Sequence, residues 1–259
     1  NLEKRKKMAR QKSIIKLDGT IGGITFYKSK DGYLAREKGG VSAERIKNDP
    51  TFQRTRENGS EFGRAGNSGK VLRNAIRPLL LRASDSRMVS RLTKEMVKVI
   101  QMDQTNPRGA RNVIDGEAIL LDGFDFNING KLGNTLFAPK TVDITRTSGL
   151  CQVNIPAFTP TVMIAAPGGT THFKIVTAAA AVDFENGVFE TQMNESPVQA
   201  WNETATDEFI LDNELTPNSP HPIFLFLGVE FFQEVNGQKY PLKNGAFNAL
   251  SIVKVDTPV

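Results

Sequence analysis

The residue types that most often carry out catalysis or bind metals are scarce in this sequence. It contains two histidines, His172 and His221, and one cysteine, Cys151. Neither histidine has a helical i, i+4 partner or a neighbouring cysteine, which are the arrangements that zinc sites commonly use. Cys151 lies in a run of alternating apolar and polar residues, so a small core residue of a strand is a better interpretation than a nucleophile. We therefore expect no metal site.

A glycine-rich stretch and an acidic cluster are the other candidates for ligand binding. Residues 63–71, GRAGNSGKV, resemble a phosphate-binding loop, but the glycine spacing is wrong and Val71 stands where that loop needs Ser or Thr. The acidic cluster comprises Asp207, Glu208, Asp212 and Glu214. It lacks the spacing and the glycine of a calcium loop, so a solvated acidic face is expected. No catalytic triad, cofactor or small-molecule substrate is identified, and we predict that the protein is not an enzyme.

Charge is divided unevenly along the chain. The net charge is +5, but residues 1–115 carry 26 basic and 12 acidic side chains (+14), whereas residues 116–259 carry 7 and 16 (−9). Such a division indicates either two segments with different partners or one segment that binds the other in a neighbouring copy.

The first 12 residues are interpreted as a basic tail. Its cations are Lys4, Arg5, Lys6, Lys7, Arg10 and Lys12. They are candidate phosphate contacts if the chain binds nucleic acid without sequence specificity. Residues 1–16 contain no aromatic platform for bases, however, and the chain has no nucleic-acid-binding signature. No signal peptide is visible and no stretch approaches the ~20 apolar residues of a membrane span, so we expect a cytoplasmic or particle-associated protein.

Residues 13–48 are predicted to form a glycine-rich β-hairpin arm. We expect strands near residues 13–17, 22–28 and 33–37, with a turn at Lys30-Asp31-Gly32. Because an isolated hairpin is only marginally stable in water, this one is expected to lean on a partner surface. The side chains assigned to this assembly arm are Ile24, Phe26, Tyr27, Lys28, Lys30, Tyr33, Arg36 and Lys38.

Residues 49–104 are predicted to form a helical hairpin. Asp49-Pro50 is a typical helix start, with an acidic cap followed by proline at the first helical position. Several glycines follow, and because each costs about 1 kcal/mol in a helix interior, a break is expected near residues 66–69. A second helix is expected after a cap at Ser84. Its apolar face comprises Met88, Val89, Leu92, Met96, Val99 and Ile100.

Residues 105–116 are predicted to be a linker, and residues 117–259 a β-sandwich. Turn signals at Thr147-Ser148-Gly149, Asn186-Gly187 and Asn236-Gly237 separate short alternating runs, as in antiparallel hairpins. The predicted fold class is therefore α+β, with an antiparallel, immunoglobulin-like β-sandwich at the C-terminal end. The Cys–Trp–Cys signature of true immunoglobulin domains is absent.

The segment from Met8 to about Leu80 resembles an uncharacterised family of Bacteroidota proteins. The residues that carry the resemblance are the opening GTIGGITFYK at 19–28, the Lys30-Asp31-Gly32 turn, NDPTF at 48–52 and the helix RTRENGSEF at 54–62. The resemblance implies a glycine-rich hairpin, a helical middle and a sandwich-like C-terminal domain. It implies no activity.

Three functions are compatible with these features. The leading hypothesis is a non-enzymatic, self-assembling structural protein of a phage-like particle or a filament, a homo-oligomer held by complementary charge. The second is a nucleic-acid-associated protein that uses the basic N-terminal half. The third, an adhesin-like binding sandwich, lacks an aromatic platform, since Trp201 is the only tryptophan.

Overall fold

The computed structural model describes residues 8–37 and 40–258. The chain divides into two compact units, Asn1–Arg56 and Glu57–Val259.

The first unit is built on a four-stranded antiparallel sheet. Its strands are β1 (Met8–Arg10), β2 (Gly19–Ile21), β3 (Ile24–Ser29) and β4 (Gly32–Glu37), in the spatial order β1-β4-β3-β2. Ser29 pairs with Gly32, so the predicted turn at Lys30-Asp31-Gly32 is confirmed. Gly32 has a φ of +106°, a conformation that favours glycine.

The predicted strand at residues 13–17 is wrong. That segment is a loop, and two strands were not predicted: β1, which falls within the predicted basic tail, and β2, which follows the loop. The side chain of Gln11 explains the difference, since its Nε2 donates to Leu34 O (2.9 Å) and its Oε1 accepts from Leu17 N (2.8 Å). These bonds hold the loop against the sheet and satisfy backbone groups that a strand would otherwise use.

Two helix starts lie in the first unit, and the sequence predicted only the one at Asp49-Pro50. Helix α1 (Ala43–Asn48) is capped by Ser42, and a 3₁₀ turn (Pro50–Phe52) is capped by Asp49, whose Oδ1 accepts from Thr51 N at 2.9 Å. This confirms the Asp49-Pro50 start. Hydrogen bonds from the hydroxyl and the backbone N–H of Thr51, with one from the Arg45 side chain, hold the pKa of Asp49 below its ordinary value.

The helices that follow are α2 (Gln53–Ala75), α3 (Arg77–Leu80) and α4 (Met88–Gln101). The predicted break at residues 66–69 is wrong, because α2 runs through it without interruption. Gly69 is buried there, and a Cβ at its position would lie 3.6 Å from the side chain of Leu92 on α4. Packing between the helices offsets the low helix propensity of glycine.

Helix α4 buries the predicted apolar face. Met88, Leu92, Met96, Val99 and Ile100 are buried, whereas Val89, which was predicted with them, is exposed. The predicted cap at Ser84 is wrong. The helix begins at Met88 with Arg87 at the cap position and without a side-chain capping bond. Just ahead of the helix, Asp85 Oδ1 accepts from Arg87 N at 2.6 Å.

The remaining strands form two antiparallel sheets. They are β5 (Thr141–Thr145), β6 (Leu150–Ile155), β7 (His172–Asp183), β8 (Val188–Glu195), β9 (Gln199–Ala200), β10 (Phe209–Glu214), β11 (Ile223–Val235), β12 (Gln238–Pro241) and β13 (Ala249–Asp256). In the six-stranded sheet, β7 and β11 pair centrally, β8 and β9 pair with the far side of β7, and β12 and β13 pair with the far side of β11. The three-stranded sheet has the order β10-β6-β5.

Local turn signals placed three hairpins correctly. Residues 146–149 join β5 to β6, Asn186-Gly187 lies between β7 and β8, and Asn236-Gly237 lies between β11 and β12. Two short helices, α5 (Leu132–Thr135) and α6 (Pro160–Met163), and 3₁₀ turns at Ala118–Leu121 and Leu242–Gly245 complete the second unit.

Two hydrophobic clusters lie on opposite faces of the six-stranded sheet. On one face, Ala178 and Phe226 pack with helical residues such as Leu72. On the other face, Ala179 and Leu225 pack with residues of the three-stranded sheet and the segments around it. Neighbouring residues of β7 and β11 therefore point into different cores, which explains why these strands are apolar without alternation.

The observed fold is a mixed α and β structure, with an N-terminal strand region, helices and antiparallel C-terminal sheets. This confirms the predicted class at that level of detail.

Candidate assembly surfaces

The N-terminal sheet has one predominantly apolar face. Alternate residues of a strand lie on one side, and the register places these side chains together. We call this set the apolar face: Ala9, Ile21, Ile24, Phe26 and Ala35. Glu37, the register partner of Ile24, lies on the same side at its end. Lys28 and Tyr33 continue the same side toward the Lys30 turn, with the Lys28 ammonium 5.7 Å from the centre of the Tyr33 ring.

The opposite face of this sheet is polar and basic. Tyr27 and Arg36 lie there, with the Arg36 guanidinium 5.4 Å from the centre of the Tyr27 ring. Arg10 pairs with Leu34 on the same side. Thr20 and Thr25 form a cross-strand pair at 3.2 Å between their hydroxyl oxygens. The sheet is therefore amphipathic, as antiparallel sheets are when one face packs against a core and the other faces water.

The first unit has no hydrophobic core among its described residues. None of residues 9–37 and 40–56 is buried, and Ile24, at the start of β3 on the apolar face, is 46% exposed. Ile14, Ile15 and Ile21 are more exposed still. A free-standing sheet of three or more strands ordinarily needs a buried hydrophobic face, and this sheet lacks one.

The structure divides the predicted assembly-arm residues between two faces. Ile24, Phe26, Lys28 and Tyr33 share the apolar side, whereas Tyr27 and Arg36 lie opposite them. Lys30 is in the turn. Lys38 lies outside the described residues.

Most of the predicted phosphate contacts also lie outside the described residues, namely Lys4, Arg5, Lys6 and Lys7. Arg10 is in β1, and Lys12 follows it as an exposed loop residue. No phosphate-binding arrangement of these side chains is formed by the part of the tail that the structure describes.

The second unit contains a long stretch without any basic side chain. Residues 175–238 include 11 Asp and Glu and no Lys or Arg. The sequence shows this feature, but a count of charge over the two halves of the chain does not reveal it. The stretch includes most of β7 and all of β8, β9, β10 and β11.

The outer face of the three-stranded sheet shows this acidic character. Asp143, Gln152 and Asp212 are register partners across β5, β6 and β10. Both carboxylates are in exposed residues, and Gln152 Nε2 donates to Asp212 Oδ1 at 2.8 Å. Asp207 and Glu208, which precede β10, are exposed as well. The cluster at 207–214 therefore lies on a solvated face.

The candidate chemical side chains occupy structural positions. Cys151 is fully buried, and burial raises the pKa of its thiol to about 11, which disfavours the reactive thiolate. His172 Nδ1 lies 2.9 Å from Thr171 Oγ1, and His221 Nε2 lies 3.9 Å from Asp183. Within the described ranges, no group of three or more His, Cys, Asp or Glu residues could hold a metal ion.

A network of charges at one end of the helix-facing side of the sheet joins two buried residues, Lys174 and Glu230, to two exposed ones, Arg82 and Glu195. Lys174 Nζ lies 2.7 Å from Glu195 and 3.5 Å from Glu230, and Arg82 lies 3.2 Å from Glu230. The hydrogen bond from Lys174 holds the pKa of Glu195 below its ordinary value. Each buried charge has an opposite partner, so the network has the features of a structural ion cluster.

A cleft of about 700 Å³ lies between α2, the segment at 110–115 and the β7–β8 turn. Arg64 lines the cleft, and its guanidinium donates to the carbonyls of Gly109 (2.6 Å) and Arg111 (3.1 Å). Asp115 accepts from Asn106 and Asn112, both at 2.7 Å. These groups hold the loop in place, and the cleft offers no unpartnered buried charge to a ligand.

Comparisons with known proteins give no further guide, since no protein-family model, curated protein or solved structure matches this chain. In the described part of the chain, every helix is too short or too polar to cross a membrane.

Proposed function

We propose that this chain is a non-enzymatic, self-assembling structural protein whose N-terminal sheet docks on a neighbouring copy. The observation that carries the proposal is the amphipathic sheet without a buried residue among positions 9–37. Covering Ile21, Ile24 and Phe26 would remove apolar surface from water, at about 25 cal/mol per Å². A partner surface would thus supply the core that the sheet lacks.

Charge favours a second copy as the partner. The described part of the first unit has ten Lys and Arg against five Asp and Glu, whereas residues 175–238 have only acidic charges. A basic sheet on one copy and an acidic surface on the next attract each other and disfavour contact between like surfaces.

A contact between two different surfaces is heterologous. Such contacts produce rings when the rotation closes and filaments when it does not. A component of a phage-like particle or of a filament is the kind of protein that uses them. We also keep as a proposal the immunoglobulin-like relationship of the C-terminal sheets, which two antiparallel sheets packed face to face support.

Light scattering on the full-length chain and on a chain lacking residues 1–40 tests this proposal. Both hydrophobic clusters lie within residues 57–259, so the shortened chain keeps its cores. We expect the full-length chain to form oligomers at low salt and the shortened chain to stay single. A full-length chain that remains single, or a shortened one that assembles equally well, would overturn the proposal.

Point variants provide a matched control. Ile24→Glu places a charge on the apolar face, and Ile119→Glu changes the same residue type at similar exposure in the second unit (46% and 49%). Only Ile24→Glu should reduce assembly.

Nucleic-acid binding is the second candidate, and the pairing of Arg36 with Tyr27 on the basic face supports it. Guanidinium and aromatic groups together suit single strands. Adding a single-stranded oligonucleotide to the full-length chain tests this function, and a salt-sensitive complex that Arg36→Glu abolishes would support it. The Trp201 side chain is a poorer candidate for a carbohydrate platform, since it packs against the core and its Nε1 donates to Ile164 O at 3.3 Å.

A further inference from the structure

One edge of the six-stranded sheet, formed by β13 and β12, is largely protected from pairing with another chain. Along the outer side of β13, Gly123 N donates to Ile252 O (2.9 Å), Ile252 N donates to Phe124 O (3.1 Å) and Phe126 N donates to Leu250 O (2.8 Å). The neighbouring edge strand β12 is only four residues long and carries Lys239 and Pro241. Short strands, lysine and proline are the usual devices that prevent a sheet from pairing with another chain.

The opposite edge lacks these devices. Strand β8 has eight residues, contains no Lys, Arg or Pro, and pairs with β7 on one side only among the described residues. Val188, Phe189 and Met193 on this strand are 57%, 43% and 40% exposed. An exposed edge strand with large apolar side chains is a template for strand addition.

The end of β8 near Glu195 is partly occupied. Asn194 Nδ2 donates to Asp212 O of β10 at 3.0 Å, and Lys174 binds the Glu195 carboxylate. In the middle of the strand, the Glu190 carboxylate accepts a hydrogen bond from Thr216 N at 2.9 Å. The backbone edge that has no second strand partner among the described residues and lies clear of the Glu195 end is Val188–Met193, about 20 Å at 3.4 Å per residue.

We propose that this free edge of β8 receives strand β1 of a second copy, so that the N-terminal sheet of one chain continues the six-stranded sheet of the next. The inference rests on the proposed function and names the acceptor surface for it. Backbone hydrogen bonds would provide affinity, and Phe189 and Met193 would provide apolar contacts beside the added strand.

Charge selects β1 over the other open edge of the N-terminal sheet. Strand β1 contains Arg10, and Lys4, Arg5, Lys6 and Lys7 precede it in the sequence. The edge strand β2 (Gly19–Ile21) carries no cation and follows Asp18. The open part of the acceptor strand contains Glu190 and no cation. Opposite charges across neighbouring strands are favourable, and like charges are not.

Lysine substitutions in β8 test the acceptor. Phe189→Lys and Met193→Lys give the edge the protection that β12 has, at positions exposed enough to accept a charged end. Tyr240→Lys is the control, because Tyr240 is 56% exposed on β12 at the other edge of the same sheet. Circular dichroism during heating checks that each variant keeps the wild-type fold.

The expected result is that both β8 variants give a single 28.5 kDa species under conditions where the wild type and Tyr240→Lys assemble. Assembly of both folded β8 variants to the wild-type size would overturn the β8 acceptor and leave the proposed function standing. A wild type that never assembles would overturn both.

A mixing experiment tests the direction of the contact. Met193→Lys keeps a donor strand with a blocked acceptor, whereas a chain lacking residues 1–10 keeps the acceptor without β1. Each should be single alone, and their mixture should give a complex of one chain of each that grows no further. If the mixture stays dissociated, or if the chain lacking residues 1–10 assembles by itself, β1 is not the donor strand.

Discussion

Phe26 of β3 and Ala35 of β4 are register partners in the middle of the N-terminal sheet, and neither side chain is buried. The equivalent central pair in the second unit, Phe226 of β11 and Ala178 of β7, is completely buried beneath the helices. The same pair of residue types thus occupies a core in one sheet and a surface in the other. This contrast is the physical basis of the proposal that the N-terminal sheet docks on a neighbouring copy.

Gly63 in α2 and Gly228 in β11 should respond oppositely to replacement by alanine. A Cβ at Gly63 would meet no atom within 4 Å, so Gly63→Ala should stabilise the protein by about 1 kcal/mol through helix propensity. Gly228→Ala is the opposite case, because its Cβ would lie 2.6 Å from Ala249 O in the central sheet. We expect that variant to be destabilised by about 1–3 kcal/mol. Urea unfolding of both variants would refute the account if the two changes had the same sign.

The buried ion network should be intolerant of a missing partner. Lys174→Met leaves Glu230 buried beside a single partially exposed cation, Arg82, and should cost about 3–5 kcal/mol. The control is Lys98→Met, which removes an exposed pair with Glu95 and should cost less than about 1 kcal/mol. Equal losses in chemical denaturation would show that the network does not hold the sheet end together.

Cys151 should be unreactive while the protein is folded. Burial raises its pKa from the ordinary 9.0 to about 11, so the folded state retains the proton while the unfolded state loses it. The resulting stabilisation is present below pH 9 and is lost as the pH rises through 11. A thiol reagent at pH 8 should label the chain only after denaturation. Rapid labelling of the native protein would contradict this buried position.

Acid should weaken the hydrogen bonds that the Asp85 carboxylate accepts from its neighbours. Burial of Asp85 raises its pKa, but hydrogen bonds from Ile128 N, Arg91 and Arg87 N outweigh that effect and hold the pKa below 3.8. The carboxylate therefore contributes stability above pH 3.8, and this contribution is lost as the pH falls through the folded-state pKa. Asp85→Asn should lower the melting temperature at pH 7 and show a smaller loss between pH 5 and pH 3 than the wild type. A variant with the wild-type pH dependence would assign that loss to other carboxylates.

Local signals explain why several parts of the fold could be predicted. Asp49 followed by Pro50, and the Asn-Gly pairs before β8 and β12, specify their structures within a few residues. The helix break failed because the environment of Gly69 is set by Leu92, which lies far along the chain. The strand at 13–17 failed because Gln11 binds the loop to β4, a contact that periodicity does not reveal.

The candidate surfaces were predictable only in part. Sequence indicated a basic arm, but which arm residues share a face depends on the register of β3 and β4. The open edge of β8 depends on strand order, because only the order shows that β13 is covered and β8 is not. The absence of cations from residues 175–238 is visible in the sequence alone.

Sedimentation equilibrium of the full-length chain over a range of concentration and salt tests the central claim most directly. At low salt the account predicts a mass that rises with concentration above the 28.5 kDa of one chain. Added salt should reduce that mass, since attraction between exposed charges is screened over about 8 Å at physiological ionic strength. A constant mass of one chain at every concentration in low salt would contradict self-assembly through the N-terminal sheet.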